Sequence, residues 1–361
     1  MPPRKKSTEA LTYKTAGVDI DAGDAMVDQI KHMCARTYGP RVLGRYGGFA
    51  GMLRLDNDKL FGRGYKEPVL IACTDGVGSK IKIAAQMKKY DTVGIDLVAM
   101  SVNDLICNGG EPLLFLDYIA LNKLDPSITA QMVKGVSDGC VEAGCALLGG
   151  ETAEMPSVYA AGEFDMAGFA VGVVDRKEII DGSDIKVGDS VIGLSSSGIH
   201  SNGYALVRKI CFDKLKLDPA THIPEFGCTL GEELLRPTRI YVKSITSLLA
   251  KYRVKKVVKG LTHITGSGLP GNLPRALEEG LNIRADREAW PILPIFQWLQ
   301  KNGPVDVDEM FNVFNMGIGF SLIVRPSFTK HVMSHLRASG EKPYFLGKVV
   351  KGRGEAKVVW S

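Results

Sequence analysis

The chain has 361 residues, 45 % of them apolar and 24 % charged, with a net charge of +5. That length exceeds the ~250–300 residues at which a single core stops growing, so two domains are expected. No apolar run approaches the ~20 residues a membrane helix needs, and so mild a charge argues against nucleic acid while suiting anionic small molecules.

The start, MPPRKKSTEA, is basic and lacks the apolar core of a secretory signal, so residues 1–10 read as a disordered tail. A first domain is expected over 11–174. In it VLIAC (Val69–Cys73) reads as a strand ending in TDGVGSK, and GIDLVAMSVND as an apolar helix with Asp96 near its start. PLLFLDYIAL is a second strand. After Asp125-Pro126-Ser127 a helix is predicted with Ile128, Met132, Val133, Val136 and Cys140 on one face. CALL (Cys145–Leu148) runs into GGETAEMP, and GEFDMAGFAVGVVD is a long strand. The polar segment RKEIIDGSDIKVGD marks a boundary near Val174.

A second α/β unit is then expected over 175–361. SVIGL (Ser190–Leu194) ends in SSSGIHSNGY, and VVKGLTHIT ends in GSGLPGNLP. The basic run KYRVKKVVK reads as a solvated face rather than a nucleic-acid patch. The closing PYFLGKVVKGRGEAKVVW reads as a hairpin around Gly352-Arg353-Gly354. Strands alternating with helices give an α/β or α+β fold class. Seven cysteines without a C-x-x-C pair fit a reducing cytoplasm and no zinc site.

Two motif matches are decoys. Gly266–Gly271 fits G-x-G-x-x-G, but Pro270 and Pro274 break the helix start that should hold a pyrophosphate. Gly135–Gly139 fits G-x-S-x-G, but a helical period runs through it where the nucleophile elbow needs a strand before it, so a helix surface is expected. No P-loop motif occurs.

The glycines, serine and lysine of TDGVGSK suggest a phosphate cradle, yet Asp75 opens the loop and a bare carboxylate repels phosphate. A cation between them resolves this, since magnesium is held by one or two carboxylates plus phosphate oxygens. Asp96 offers a second carboxylate, although it could equally cap its helix. Asn103 and Asp104 lie two turns on, in an apolar stretch where polar side chains need partners. Further clusters are Gly149-Gly150-Glu151-Thr152, then Ser195–Gly203 with its hydroxyls, amides and His200, and finally His263, Thr265, Ser267 and Asn272.

These motifs, in this order, resemble the phosphoribosylformylglycinamidine cyclo-ligase (aminoimidazole ribonucleotide synthetase) family. The resemblance runs from about Leu11 to the C-terminus through YKTAGVDIDAG, TDGVGSK, GIDLVAMSVND, LLGGETAEMP, SSSGIHSNGY, HITGSGLPGNLPR and FNMGIGF. Two departures stand out: Ser267 replaces a usual glycine, and Gly271 stands where the family usually has an acid.

The resemblance implies two domains, an N-terminal mixed sheet pairing across a homodimer and a C-terminal α/β sheet flanked by helices. It implies ATP-dependent closure of formylglycinamidine ribonucleotide to aminoimidazole ribonucleotide, with ADP and phosphate, in cytoplasmic purine biosynthesis. Selenophosphate synthetase and thiamine-phosphate kinase types are the rival readings within the same superfamily. On this basis Asp75 and Asp96 are expected to hold Mg2+. Lys80, Gly76, Gly78, Ser79, Asp104, Lys14 and Lys31 are expected to contact ATP. Gly149, Gly150, Thr152, Ser197, Gly198, His200, Ser201, Asn202 and Thr265 are the expected substrate contacts. Lys80, Glu151, Asn103 and His263 are the candidate catalytic residues, His263 as the proton carrier in ring closure.

Overall fold

A computed structural model describes residues 20–43, 50–56 and 64–361. The described residues begin with helix α1 (Ile20–Ala35). Strand β1 (Pro68–Gly76) leads through a short helical turn, Gly78–Lys80, and the helix Ile81–Met87 to α2 (Asp91–Ile106). There follow β2 (Glu111–Leu121), α3 (Pro126–Ala143), β3 (Ala146–Glu154) and β4 (Phe164–Asp175). These four strands form one mixed sheet in the order β1-β4-β2-β3, with only the β2–β3 pair parallel.

Local chemistry sets these elements. Asp125 caps α3 by accepting from Ser127 N at 2.9 Å and Ile128 N at 3.3 Å, with Pro126 at the first turn. Gly144, at φ +75°, closes the helix in the left-handed conformation that costs glycine least. Helices α2 and α3 cross closely, since a Cβ on Gly135 would collide with the backbone of Asp91. The G-x-S-x-G match therefore lies on a buried helix crossing, with Ser137 fully covered, and not on a helix surface.

Strand alternation sorts the two faces of this sheet. Phe115, Asp117 and Ile119 of β2 point to the covered side, while Leu116 points away. On the other side Leu70 is 61 % exposed and Phe169 42 %, an apolar sheet face that no described element covers.

The second sheet contains β5 (Ser190–Ser195), β6 (Val258–His263), β7 (Leu281–Ala285), β8 (Ile318–Val324), β9 (Pro343–Lys351) and β10 (Val358–Trp360). Their order is β6-β8-β5-β9-β7-β10, and only β7–β10 is parallel. The expected closing hairpin does not form. Strand β7 inserts between β9 and β10, pairing antiparallel with one and parallel with the other. Backbone bonds fix the insertion: Gly352 N donates to Gly280 O at 2.7 Å and Gly280 N to Gly354 O at 2.9 Å. A glycine turn looks the same in sequence whether its flanking strands pair with each other or with a third.

Candidate active site at the domain joint

Strand β1 alternates so that Ile71, Cys73 and Asp75 face α2, with the Cys73 thiol against Ser101 O at 3.1 Å. Asp75 ends the strand, and its Oδ1 accepts from the Gly76 amide at 2.8 Å. Asp104, in the last turn of α2, meets His263 at the end of β6, with Oδ1 and Nδ1 2.8 Å apart. One carboxylate thus comes from the N-terminal sheet, one from the helix covering it, and the imidazole from the second sheet. Burial pushes the Asp75 carboxyl above its ordinary range; the Gly76 amide opposes this, Asp104 adds to it, and His263 opposes it. The same corner opens into a cavity of about 300 Å³ lined by Cys73, Asp104, His263 and Arg275 among others.

Tautomer follows from partner. With Nδ1–H donated to the Asp104 carboxylate, Nε2 is the remaining ring nitrogen of His263, buried and without a hydrogen-bond partner among the described residues. Asp104 itself is 40 % exposed, so this dyad stands at the edge of the joint with one member facing outward.

The other expected contacts fall into a different structure. Lys80 and Asp96 are both fully buried and paired, Nζ to Oδ2 at 2.7 Å. The Lys80 ammonium also donates to Arg236 O at 2.7 Å and His200 O at 3.1 Å. Asp96 Oδ1 accepts from Thr238 N at 2.7 Å and Thr238 Oγ1 at 2.6 Å. Asn103 donates to Arg239 O at 2.8 Å and accepts from Tyr241 N at 3.0 Å. Three N-terminal-domain side chains therefore grip one strap, residues 236–241, of the second domain. In this geometry the Lys80 ammonium and the Asp96 carboxylate are taken up by each other and by groups of the strap and the His200 carbonyl. Asn103 has both amide ends occupied by backbone, against a catalytic role. The sequence could not show this, because the carbonyls that use these groups arrive about 140 residues later.

The serine-rich loop is also turned inward. Ser201 Oγ donates to Val77 O at 2.6 Å and Ser197 Oγ to Pro237 O at 2.6 Å. His200 is 1 % exposed at φ +68°, with Nε2 accepting from Ser197 N at 3.2 Å. Burial, reinforced by His263, Lys80 and Arg239, holds its pKa well below the usual histidine range, so it stays neutral. His200, Ser197 and Ser201 thus tie the joint rather than face open solvent. Gly198 is buried too, whereas Asn202 and Thr265 remain half-buried beside the His263 loop.

Gly76, Gly78 and Ser79 stay at the Asp75 corner. Gly149, Gly150, Glu151 and Thr152 lie on β3, the opposite edge of the sheet from β1. At ~4.8 Å per strand this is about 14 Å away within one chain. Lys31 is exposed on α1, and Lys14 lies outside the described residues. The sequence reading passed over Thr238, Tyr241 and Arg275. Only Arg275 had a signal, as the arginine closing the HITGSGLPGNLPR motif.

Comparison with known proteins decides the family. The model of the AIR synthase related protein N-terminal domain matches residues 58–174, and that of its C-terminal domain matches residues 186–359. The chain belongs to the AIR synthase family. A phosphoribosylformylglycinamidine cyclo-ligase of Acetivibrio thermocellus is 53 % identical over 342 residues, covering 95 % of this chain and 98 % of that protein. One from Burkholderia multivorans is 50 % identical and covers 99 % of both chains. Among solved structures, hydrogenase maturation protein HypE in complex with ATP superposes with a TM-score of 0.63 at 16 % identity, covering 92 % of this chain and 91 % of that one. At that identity the likeness concerns fold alone. Within the AIR synthase family frame, the mixed two-domain architecture expected from the sequence is the one observed.

Proposed function

We propose that this chain closes the imidazole ring of formylglycinamidine ribonucleotide, consuming ATP and releasing ADP and phosphate, in de novo purine biosynthesis. The observation that carries the reading is its identity of 53 % to a cyclo-ligase across almost the whole of both chains. The geometry supports it with two carboxylates and an imidazole converging where the domains meet.

The chemistry asks for those groups. A formamide oxygen leaves poorly, and its phosphorylation gives an iminophosphate from which phosphate departs as the amidine nitrogen attacks. Phosphoryl transfer needs charge neutralisation and alignment more than covalent help. Asp75 and Asp104 suit a hard divalent cation such as magnesium, which takes one or two carboxylates plus phosphate and water. Among the described residues no cluster of three or more His, Cys, Asp or Glu forms a metal site. When bound, such a cation would neutralise charge on the transferred phosphoryl group. His263, oriented by Asp104, is the proton carrier this reading assigns to ring closure. Arg275, at the cavity rim, supplies positive charge for a phosphate.

A homodimer completes the reading. Leu116 and Phe169 are register partners on that exposed face, Phe169 also lies opposite Thr74, and Val171 opposite Ala72 and Leu114. A second copy of the same sheet would cover this apolar row. Sedimentation at micromolar concentration is expected to give a dimer; a monomer there would contradict it. Cys73, Cys107, Cys140, Cys145, Cys211 and Cys228 are free thiols, which supports a reducing cytoplasmic setting, and no helix among the described residues is long and apolar enough to cross a membrane.

The deciding experiment is ADP release measured with and without formylglycinamidine ribonucleotide, alongside a colour test for the aromatic amine product. Because the ribonucleotide oxygen is the phosphoryl acceptor, ADP should form at only a slow background rate without it. ADP release indifferent to the ribonucleotide, or no amine, would overturn the assignment.

A further inference from the structure

The loop that follows His263 contains a strained serine. Ser267 sits at φ +80° and ψ +6°, a left-handed conformation that non-glycine residues rarely hold. Its side chain is exposed at the mouth of an open cavity of about 570 Å³, whose lining also includes Gly203, Gly266, Gly271 and Asn312. Four residues on, Gly271 has no positive φ and stands in a short helical turn, Gly268–Asn272. Nothing in its own backbone calls for glycine there. What calls for it is Ser267: a Cβ built on Gly271 would fall well inside the ~3.0 Å that Cβ atoms keep, against the Cβ of Ser267 itself.

Residues four apart on a regular helix keep their Cβ atoms ~5–6 Å apart. Here the left-handed residue at the head of the turn tips its Cβ toward position 271. A clash between two Cβ atoms has no rotamer to relieve it. Nor is the backbone free to yield. Asn272, 1 % exposed, donates from Nδ2 to Gly268 O at 2.7 Å, Gly266 O at 3.1 Å and Thr265 O at 3.4 Å. Gly271 N donates to Ser267 O at 3.0 Å, and Gly268 is pinned against the Phe311 carbonyl with no room for a side chain.

We propose that Ser267 and Gly271 form one coupled unit, in which only one position can carry a side chain, and that this unit positions the Thr265–Asn272 loop beside His263. The inference rests on the reading that this loop serves the substrate. Neither residue has meaning alone: the serine is tolerated because position 271 is empty, and the glycine is required because position 267 is filled.

The test uses the full chain and four proteins: parent, Ser267→Gly, Gly271→Ala and the double variant, each measured for thermal midpoint and for kcat/KM with the ribonucleotide. In the parent background Gly271→Ala should lower the midpoint by several degrees through overpacking and cut kcat/KM about tenfold or more. In the Ser267→Gly background the same change should raise the midpoint by about 1–4 °C, because alanine outranks glycine in a helical turn once space exists. Activity should recover with it. If Gly271→Ala in the parent background does not fold, Ser267→Gly with and without Gly271→Ala still reports the sign. Ser267→Ala with Gly271→Ala should stay destabilised, since the obstacle is the Cβ and not the hydroxyl. An equal effect of Gly271→Ala in both backgrounds overturns the coupling. Coupled midpoints with kcat/KM unchanged across all four would leave the steric pair standing and overturn its role in positioning a substrate loop.

Discussion

Asp104→Asn is expected to lower turnover about 10²-fold or more, with the thermal midpoint within a few degrees of the parent. The substitution is close to a pure charge change. Asparagine keeps an oxygen that can accept from His263 Nδ1, so the imidazole need not reorient. Asp104 is 40 % exposed on its side chain, and among the described residues its hydrogen-bond partner is His263, so little folding free energy depends on this side chain. What disappears is half of the negative charge facing the proposed cation. Asp75→Asn should behave likewise, and it should also relieve the burial of a carboxylate, which with a smaller push from Asp104 holds Asp75 above its ordinary range. Raising magnesium should restore part of the rate in either single variant, because one carboxylate remains. The measurement is steady-state ADP release against magnesium concentration, with the thermal midpoint recorded on the same samples. Parental turnover in both variants at ordinary magnesium would remove the cation from this corner.

The sequence carried the fold further than the site. Strand ends, the Asp125-Pro126 helix start and the two-domain length were all legible, because they depend on local periodicity and turn chemistry. Asp75 was legible as well, since an acid in a glycine loop contradicts its surroundings and asks for a partner. Asp96 and Asp104 looked alike: both are acids on one apolar helix, one near its start and one near its end. Their difference is made by distant residues. Thr238 takes Asp96 and His263 takes Asp104. The same holds for Lys80, whose place in a phosphate-like loop said nothing of the Arg236 and His200 carbonyls that consume its protons. The serines of the 195–203 loop were ambiguous for a related reason. Hydroxyl density marks backbone-holding loops as readily as ligand loops, and here Val77 and Pro237 supply the backbone.

That division makes Asp96→Asn and Lys80→Met the most damaging substitutions for stability, and separates them from Asp104→Asn by what they leave intact. Each removes one partner of a fully buried ion pair and strands the other charge, which typically costs about 3–5 kcal/mol. For a chain of this size that is a fall in midpoint on the order of 10 °C. Asp96→Asn leaves the Lys80 ammonium facing an amide, while Lys80→Met leaves the Asp96 carboxylate with only the two donors of Thr238. The Arg236 and His200 carbonyls also lose a donor in the second case. The double variant Lys80→Met with Asp96→Asn strands no charge and keeps an oxygen for Thr238, so it should be more stable than either single change. A sum of the two single losses would contradict the pairing. Activity supplies the discriminating readout. Lys80 and Asp96 hold the strap 236–241 and do not face the cavity, so turnover per folded molecule, measured well below each midpoint, should fall only a few-fold. Asp96→Asn with a parental midpoint and turnover lost about 10²-fold would return Asp96 to the cation and dissolve the strap as the element that joins the domains.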